Sequence, residues 1–273
     1  MHLDVLDLRA FYYRTKLGRT TQRALQDALR TLWPETRAMT VAGFGFAAPM
    51  LRPFLSDARR VVALMPAPQG VMPWPAGAAN VSALVEETMW PIETGAVDRL
   101  IVAHGLETCA QPDALLAEIW RILAPQGQVV FIVPNRSGLW ARRDVTPFGF
   151  GRPYSFGQVE AILVQQGFRP LRHASALFAP PSHRRFWLQT AHLWERLGRR
   201  FDSHIVAGAL LVEARKEVFA RPRAGGKAVA RNPMGALEGL ARPAPEAAAG
   251  RAAAAARRPA QDVRNPSPTP AKR

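Results

Sequence analysis

The stretch Thr40-Val41-Ala42-Gly43-Phe44-Gly45-Phe46-Ala47-Ala48-Pro49 constrains the fold of this chain more than any other. An apolar run enters it and a helix-like segment leaves it. Between them Gly43, Gly45 and Ala47 are spaced as G-x-G-x-A. Small residues at a strand exit allow a sharp turn into a helix and let the backbone approach a ligand closely. The turn also brings such a ligand near the free N–H groups of the helix. This is what the first strand, turn and helix of a doubly wound α/β domain require. An ordinary tight turn also has this spacing, so the rest of the chain has to decide.

The periodicities along the chain agree with an alternating α/β pattern. Residues Asp4 to Trp33 read as helical, with Leu6, Ala10, Tyr13 and Leu17 and then Leu25, Leu29 and Leu32 at helical spacing. Gly18 is expected to divide this segment in two, with Thr20 or Thr21 capping the second helix. Strands are predicted over Arg37–Gly43, Arg59–Met65, Asn80–Glu87, Val97–Ala103, Gln128–Val133, Phe168–Phe178 and His204–Val212. The continuous run Val61-Val62-Ala63-Leu64 fits a strand covered on both faces, as in a parallel sheet. Helices are predicted over Pro49–Ser56, Asp113–Leu123, Ser155–Gln166 and His183–Leu197, the third opening on Ser155 with Gln158 as its capping-box partner. Pro134 to Tyr154 is a long loop at the exit of the fifth strand, and loops of that length are usually functional. The sum is one doubly wound, mostly parallel, seven-stranded α/β domain at 37–220. A helical extension precedes it at 1–36. A Pro/Ala/Arg-rich tail at 221–273 buries too little apolar surface to fold and is expected to be disordered.

Charge enters through its location. The formal net charge is +15, and from Ala214 onward roughly thirteen Lys and Arg face four Asp and Glu, so more than half of the excess lies in the tail. A weak contact of the tail with nucleic acid or an acidic partner is therefore one expectation, and the body demands none. The single Cys109 excludes an internal disulfide and a thiolate zinc cluster, and no metal site is expected. No apolar run approaches the ~20 residues that span a bilayer, and no secretory leader is visible. A cytoplasmic setting follows as the expectation.

Four stretches in combination carry a resemblance: Val97-Asp98-Arg99-Leu100, His104-Gly105-Leu106-Glu107, Arg121-Ile122-Leu123-Ala124-Pro125-Gln126-Gly127 and Val133-Pro134-Asn135. This region resembles the middle of the class I S-adenosylmethionine-dependent methyltransferases of the type 11 kind, with Gly43, Gly45 and Ala47 as the family's first motif. Gln126 and Ala47 stand where the family usually has glycine, and Thr108 where it often has histidine. The resemblance spans roughly residues 38–212 and implies a Rossmann-like methyltransferase fold with S-adenosyl-L-methionine as cofactor. It implies cofactor contacts from Gly43, Gly45, Ala47, Met65, Gln69, Glu86, Trp90 and His104. The family's acid at the end of the second strand, which holds the ribose hydroxyls, is absent: the strand ends Leu64-Met65-Pro66, and Gln69 is the nearest group able to accept one such bond. Glu86 matches the acid that meets the adenine amino group, and is equally readable as a solvated loop acid.

His104 is the candidate catalytic residue. A neutral imidazole at the exit of the fourth strand is able to take a proton from a hydroxyl or amine as a methyl group moves. It is also readable as a pocket wall or a backbone partner. Tyr13, Arg136, Trp140, Arg143 and Tyr154 are the candidate substrate contacts, with a lid packed by its own aromatics as the competing account. The implied activity is methyl transfer to a small-molecule acceptor. The alternatives are a catalytically silent binding protein on the same fold and a nucleic-acid-associated protein acting through its tail. A nicotinamide dehydrogenase is weaker, because that class also needs the missing acid.

Overall fold

Strand β1 (Thr40–Gly45) is buried along its whole length and lies at the centre of a seven-stranded sheet. The computed structural model describes residues 4–201 and 206–217. The predicted tail at 221–273 lies outside the described residues, as does any contact it makes. The sheet runs β3–β2–β1–β4–β5–β7–β6, with β2 at Arg60–Pro66, β3 at Ser82–Val85, β4 at Val97–Ala103, β5 at Leu123–Pro134, β6 at Phe168–Ala176 and β7 at Ala209–Lys216. Strands β1 to β5 are mutually parallel, whereas β7 is antiparallel to both β5 and β6. The order reverses at β1, between β2 and β4. In open α/β sheets the ligand crevice lies at such a point, beyond the carboxyl ends of the strands.

Two apolar layers cover the sheet. Helix α4 (Pro112–Ile122) and helix α5 (Phe156–Gln165) cover one face through Leu115, Ile119, Val159 and Leu163, against Phe44, Val102 and Phe131. The expected capping box of Ser155 and Gln158 is present at the start of α5. On the other face lie the N-terminal helices, short helix α3 (Ala48–Leu51) and helix α6 (Arg185–Phe201). Among the described residues no helix is long and apolar enough to cross a membrane.

The N-terminal extension departs from its predicted form. It breaks at Thr15, not Gly18: helix α1 (Val5–Arg9) runs into a wider π-helical turn (Ala10–Arg14), and helix α2 (Lys16–Leu32) starts after it. Thr15, rather than Thr20 or Thr21, caps α2 by accepting from the Gly18 N–H at 2.8 Å. Gly18 has a different task. A Cβ there would sit 1.9 Å from the Phe11 carbonyl oxygen, so the π turn can fold back on α2 only over a glycine. Strand β7 also differs, extending to Lys216 rather than ending at Val212; residues 204 and 205 of the predicted strand lie outside the described residues.

Candidate functional site

The β1 turn folds as its spacing predicts, but its small residues serve packing. Gly45 has φ +77°, a conformation that disfavours any other residue, and a Cβ on it would lie 2.3 Å from the Ala103 carbonyl oxygen at the end of β4. A Cβ on Gly43 would meet the side chains of Ala47 and Leu51 at 2.7 Å, so this glycine lets α3 close onto the sheet. Ala47 precedes α3 and is fully buried.

His104 follows β4 directly. Its φ is +51°, unusual for a side chain of this size, and strain of this kind concentrates at functional sites. The imidazole is buried and held on three sides. The Tyr12 hydroxyl lies 2.7 Å from Nε2, the Glu107 carboxylate 3.2 Å from Nδ1, and the Phe148 ring packs edge-on at 4.8 Å between centroids. Burial, and then the charge of Glu107, push the Tyr12 phenol well above its ordinary pKa, so it keeps its proton. A protonated phenol either donates to Nε2 or accepts from it; where it donates, the ring's own proton lies on Nδ1, the edge facing Glu107. The approach of Glu107 is poorly aligned, and neither carboxylate oxygen has a hydrogen-bond partner although the residue is buried. The His104 Nδ1 edge, 3.2 Å away, is the polar group that faces this buried carboxylate.

The remaining predicted cofactor residues divide. Met65 is buried in β2 with its sulfur 3.5 Å from the Met72 nitrogen. Gln69 is at the crevice, but it bonds protein: its amide donates to the His104 carbonyl oxygen and to Thr108 Oγ1, the latter at 3.3 Å. Glu86 is exposed, and it is its backbone oxygen that is used, by the Trp90 indole at 3.1 Å. Trp90 stacks on Phe44 at 4.6 Å and belongs to the layer under α4. Among the predicted substrate residues, Trp140 is buried and donates to the Ala179 carbonyl oxygen at 2.8 Å. Tyr154 is buried, its phenol pushed up in pKa by that burial and by Glu107. Arg136 and Arg143 are exposed. Tyr13 is half-buried, and its neighbour Tyr12 is the tyrosine that reaches His104. Sequence reasoning chose Tyr13 over Tyr12 and missed the His104–Glu107 pairing. The i, i+3 spacing of His104 and Glu107 was the available signal for the second.

The sheet order and the glycine turn after β1 are those of the Rossmann-like methyltransferase fold. Residues 42–131 match the family model of the methyltransferase domain. An S-adenosylmethionine-dependent methyltransferase from Thermotoga maritima has the same fold at 14% identity, covering 74% of this chain and 91% of that one with a TM-score of 0.52. The Haloferax volcanii protein solved in complex with a methyltransferase activator matches at 17% identity over 78% and 97% of the two chains, with a TM-score of 0.57. One from Mesorhizobium loti matches at 14% identity over 71% and 98%, with a TM-score of 0.50. No curated protein matches the chain. S-adenosylmethionine is the cofactor of this class.

The crevice can be tested against that cofactor. Beyond the end of β1 lie Phe46 and Met65, each 1% exposed, and the Phe46 ring is covered by Tyr12, stacked at 5.8 Å and 20°. Gln69, from the loop after β2, bonds across to the loop after β4, and β1 is the strand between those two. The Val5 N–H donates to the Gln69 carbonyl oxygen at 2.8 Å and ties the N-terminal segment to this bridge. In this conformation the residues do not leave room for an adenosyl group. With Tyr12 and Gln69 displaced, the β1 turn, His104 and the buried Glu107 carboxylate would line the crevice.

Proposed function

We propose that this chain is a methyltransferase for a small-molecule acceptor, working in the cytoplasm, in which His104 is the proton acceptor and Glu107 fixes its tautomer. The carrying observation is the imidazole at the β4 exit, with Nδ1 turned to a buried carboxylate and Nε2 turned to a hydroxyl 2.7 Å away. Bound S-adenosylmethionine would supply the methyl group. The chain's own residues exclude water around His104 and orient its Nε2 lone pair toward an acceptor hydroxyl or amine. Trp140 supports the acceptor side as a packed wall, with Phe148 between it and the imidazole. The test is calorimetric titration of the full chain with S-adenosylhomocysteine, followed by transfer of labelled methyl groups to acceptor panels. Loss of transfer in His104→Ala with cofactor binding retained is the expected result. Transfer that survives in that variant with an unchanged pH profile would remove His104 from the chemistry.

The absence of an acid at Met65-Pro66 favours a second reading, a binding protein on the same fold without catalysis. No heat with either cofactor form at millimolar concentration, in the wild type and in variants that open the crevice, would favour it.

A further inference from the structure

We infer that the N-terminal segment Asp4–Arg14 is an intrasteric plug of the cofactor crevice, with Tyr12 as the inserted group and Gln69 as the bar across it. The inference rests on reading the crevice beyond β1 as the cofactor site. Three independent contacts carry it. Tyr12 is fully buried, stacked on Phe46 of the β1 turn and bonded through its hydroxyl to His104. The segment is tied by its Val5 N–H to Gln69, and Gln69 in turn bonds His104 and Thr108 beyond β4. Val5, Leu8, Phe11 and Tyr12 share one buried cluster with Phe46, Ala47 and Met65. A helix that merely packed on an outer face would bury its apolar stripe against the sheet, without a side chain inserted at the strand exits.

The π-helical turn makes this possible. Widening the helix at Ala10–Arg14 turns the consecutive residues Phe11 and Tyr12 both inward, and π turns occur frequently at functional sites. The π turn is also able to shift without unfolding the domain. It is joined to α2 at Thr15, a single extended residue with φ −93° and ψ 150°, and α2 has its own cap there. The closed state thus fills the crevice with protein groups, and a cofactor binds only the fraction of molecules in which Tyr12 has withdrawn.

Calorimetric titration of the full chain with S-adenosylhomocysteine tests this, with hydrogen exchange of residues 4–14 followed in parallel. Tyr12→Ala removes the stack and the hydroxyl. Val5→Pro removes the N–H that bonds Gln69, at the first position of α1, where a helix tolerates proline. Tyr12→Phe removes the hydroxyl alone. The expected result is binding at least about tenfold tighter in Tyr12→Ala than in the wild type, a smaller gain in Tyr12→Phe and Val5→Pro, and faster exchange concentrated at residues 10–14 when ligand is added. Equal affinity in wild type and variants, or weaker binding in Tyr12→Ala, would overturn the plug and leave the methyltransferase reading standing, since Tyr12 would then be a bystander or a cofactor contact. No binding in any variant, with exchange showing the segment released, would overturn the plug and the cofactor reading together. If Tyr12→Ala fails to fold, the comparison of Val5→Pro with the wild type decides by the same outcomes.

Discussion

Replacing Arg121 by alanine should unfasten the loop that follows β3. Arg121 lies in the last turn of α4, and its guanidinium reaches five acceptors, one of them the Thr94 hydroxyl at 3.2 Å. It bonds both oxygens of Glu118 at 2.7 Å each, the Ile92 carbonyl at 2.8 Å and the Trp90 carbonyl at 3.2 Å. Its own carbonyl accepts from the Gly95 N–H at 3.0 Å. Glu118 in turn accepts from the Trp90 N–H at 2.7 Å, so helix and loop are stitched in both directions. The Arg121 side chain is 36% exposed and Glu118's 9%, so the arginine regains water on mutation of its partner while the carboxylate does not. Charge-assisted bonds contribute about 1.5–3 kcal/mol each when buried. Discounting those of the half-exposed guanidinium, and adding the stranded carboxylate, Arg121→Ala should cost about 2–3 kcal/mol. For a domain of this size that is roughly 5–10 °C in Tm.

The same pair has a pH signature. Arg121, then the Trp90 N–H, hold the Glu118 carboxyl below its ordinary pKa against the opposing effect of burial. A depressed folded pKa means stability that is fully present above the ordinary carboxylate value of about 4.3 and is lost as pH falls through the lower folded value. In Arg121→Ala burial is left to dominate, so protonating Glu118 relieves the variant while it harms the wild type. The stability gap, measured by urea denaturation, should be widest at neutral pH and shrink in acid. A gap under about 0.5 kcal/mol at neutral pH, or one that does not change with pH, would refute this account of the clamp. Arg121→Lys, a point charge unable to fork, should fall between.

Three further outcomes follow from single contacts. Gly45→Ala places a Cβ 2.3 Å from the Ala103 carbonyl at φ +77° and should cost roughly 3 kcal/mol in urea denaturation, with loss of cofactor binding. Glu213→Gln, at a fully buried carboxylate taking bonds from Trp33 Nε1 at 2.8 Å and Arg172 Nε at 2.7 Å, should cost about 2 kcal/mol. A double-mutant cycle with Arg172→Ala should then show coupling. Thr15→Ala removes the cap of α2 and should cost about 1 kcal/mol, with faster amide exchange confined to the first turn of α2.

Much of the fold was readable because its signals are local. The apolar run of β4 and the amphipathic period of α4 specify their elements without reference to the rest of the chain. So does the Ser155 box of α5. The family motif through Arg121 was readable as pattern, while its physical content, a helix clamped to a loop, required coordinates. The N-terminal break was misplaced because Gly18 looks like a helix breaker, whereas it serves close approach to the Phe11 carbonyl. The choice between Tyr12 and Tyr13 was not legible. Helical spacing put Tyr13 in the inward stripe, and only the π turn rotates Tyr12 to the crevice. Trp90 shows the same limit: adjacency in sequence to a motif does not say which face of the sheet receives the side chain.

The missing acid after β2 and the inserted tyrosine are consistent with one another. Met65 belongs to the buried cluster that holds Tyr12, Phe46 and Met72, and a carboxylate there would be an unpaired charge in an apolar setting when the crevice is closed. Closure also has a size that limits how it can be undone. Extracting Val5, Leu8, Phe11 and Tyr12 together would expose four buried apolar side chains at about 1.5–3 kcal/mol each. That is roughly 6–12 kcal/mol, comparable to or larger than the ~8 kcal/mol of a micromolar ligand. A ligand of ordinary affinity therefore opens the crevice by moving Tyr12 and the Gln69 side chain while Val5 and Leu8 stay packed. It follows that Tyr12→Ala should raise cofactor affinity more than Val5→Pro does, and that ligand-induced exchange should concentrate at residues 10–14 rather than across the whole of 4–14. The reverse order of the two variants would mean that the segment leaves as one body, and that something other than the cofactor alone drives it.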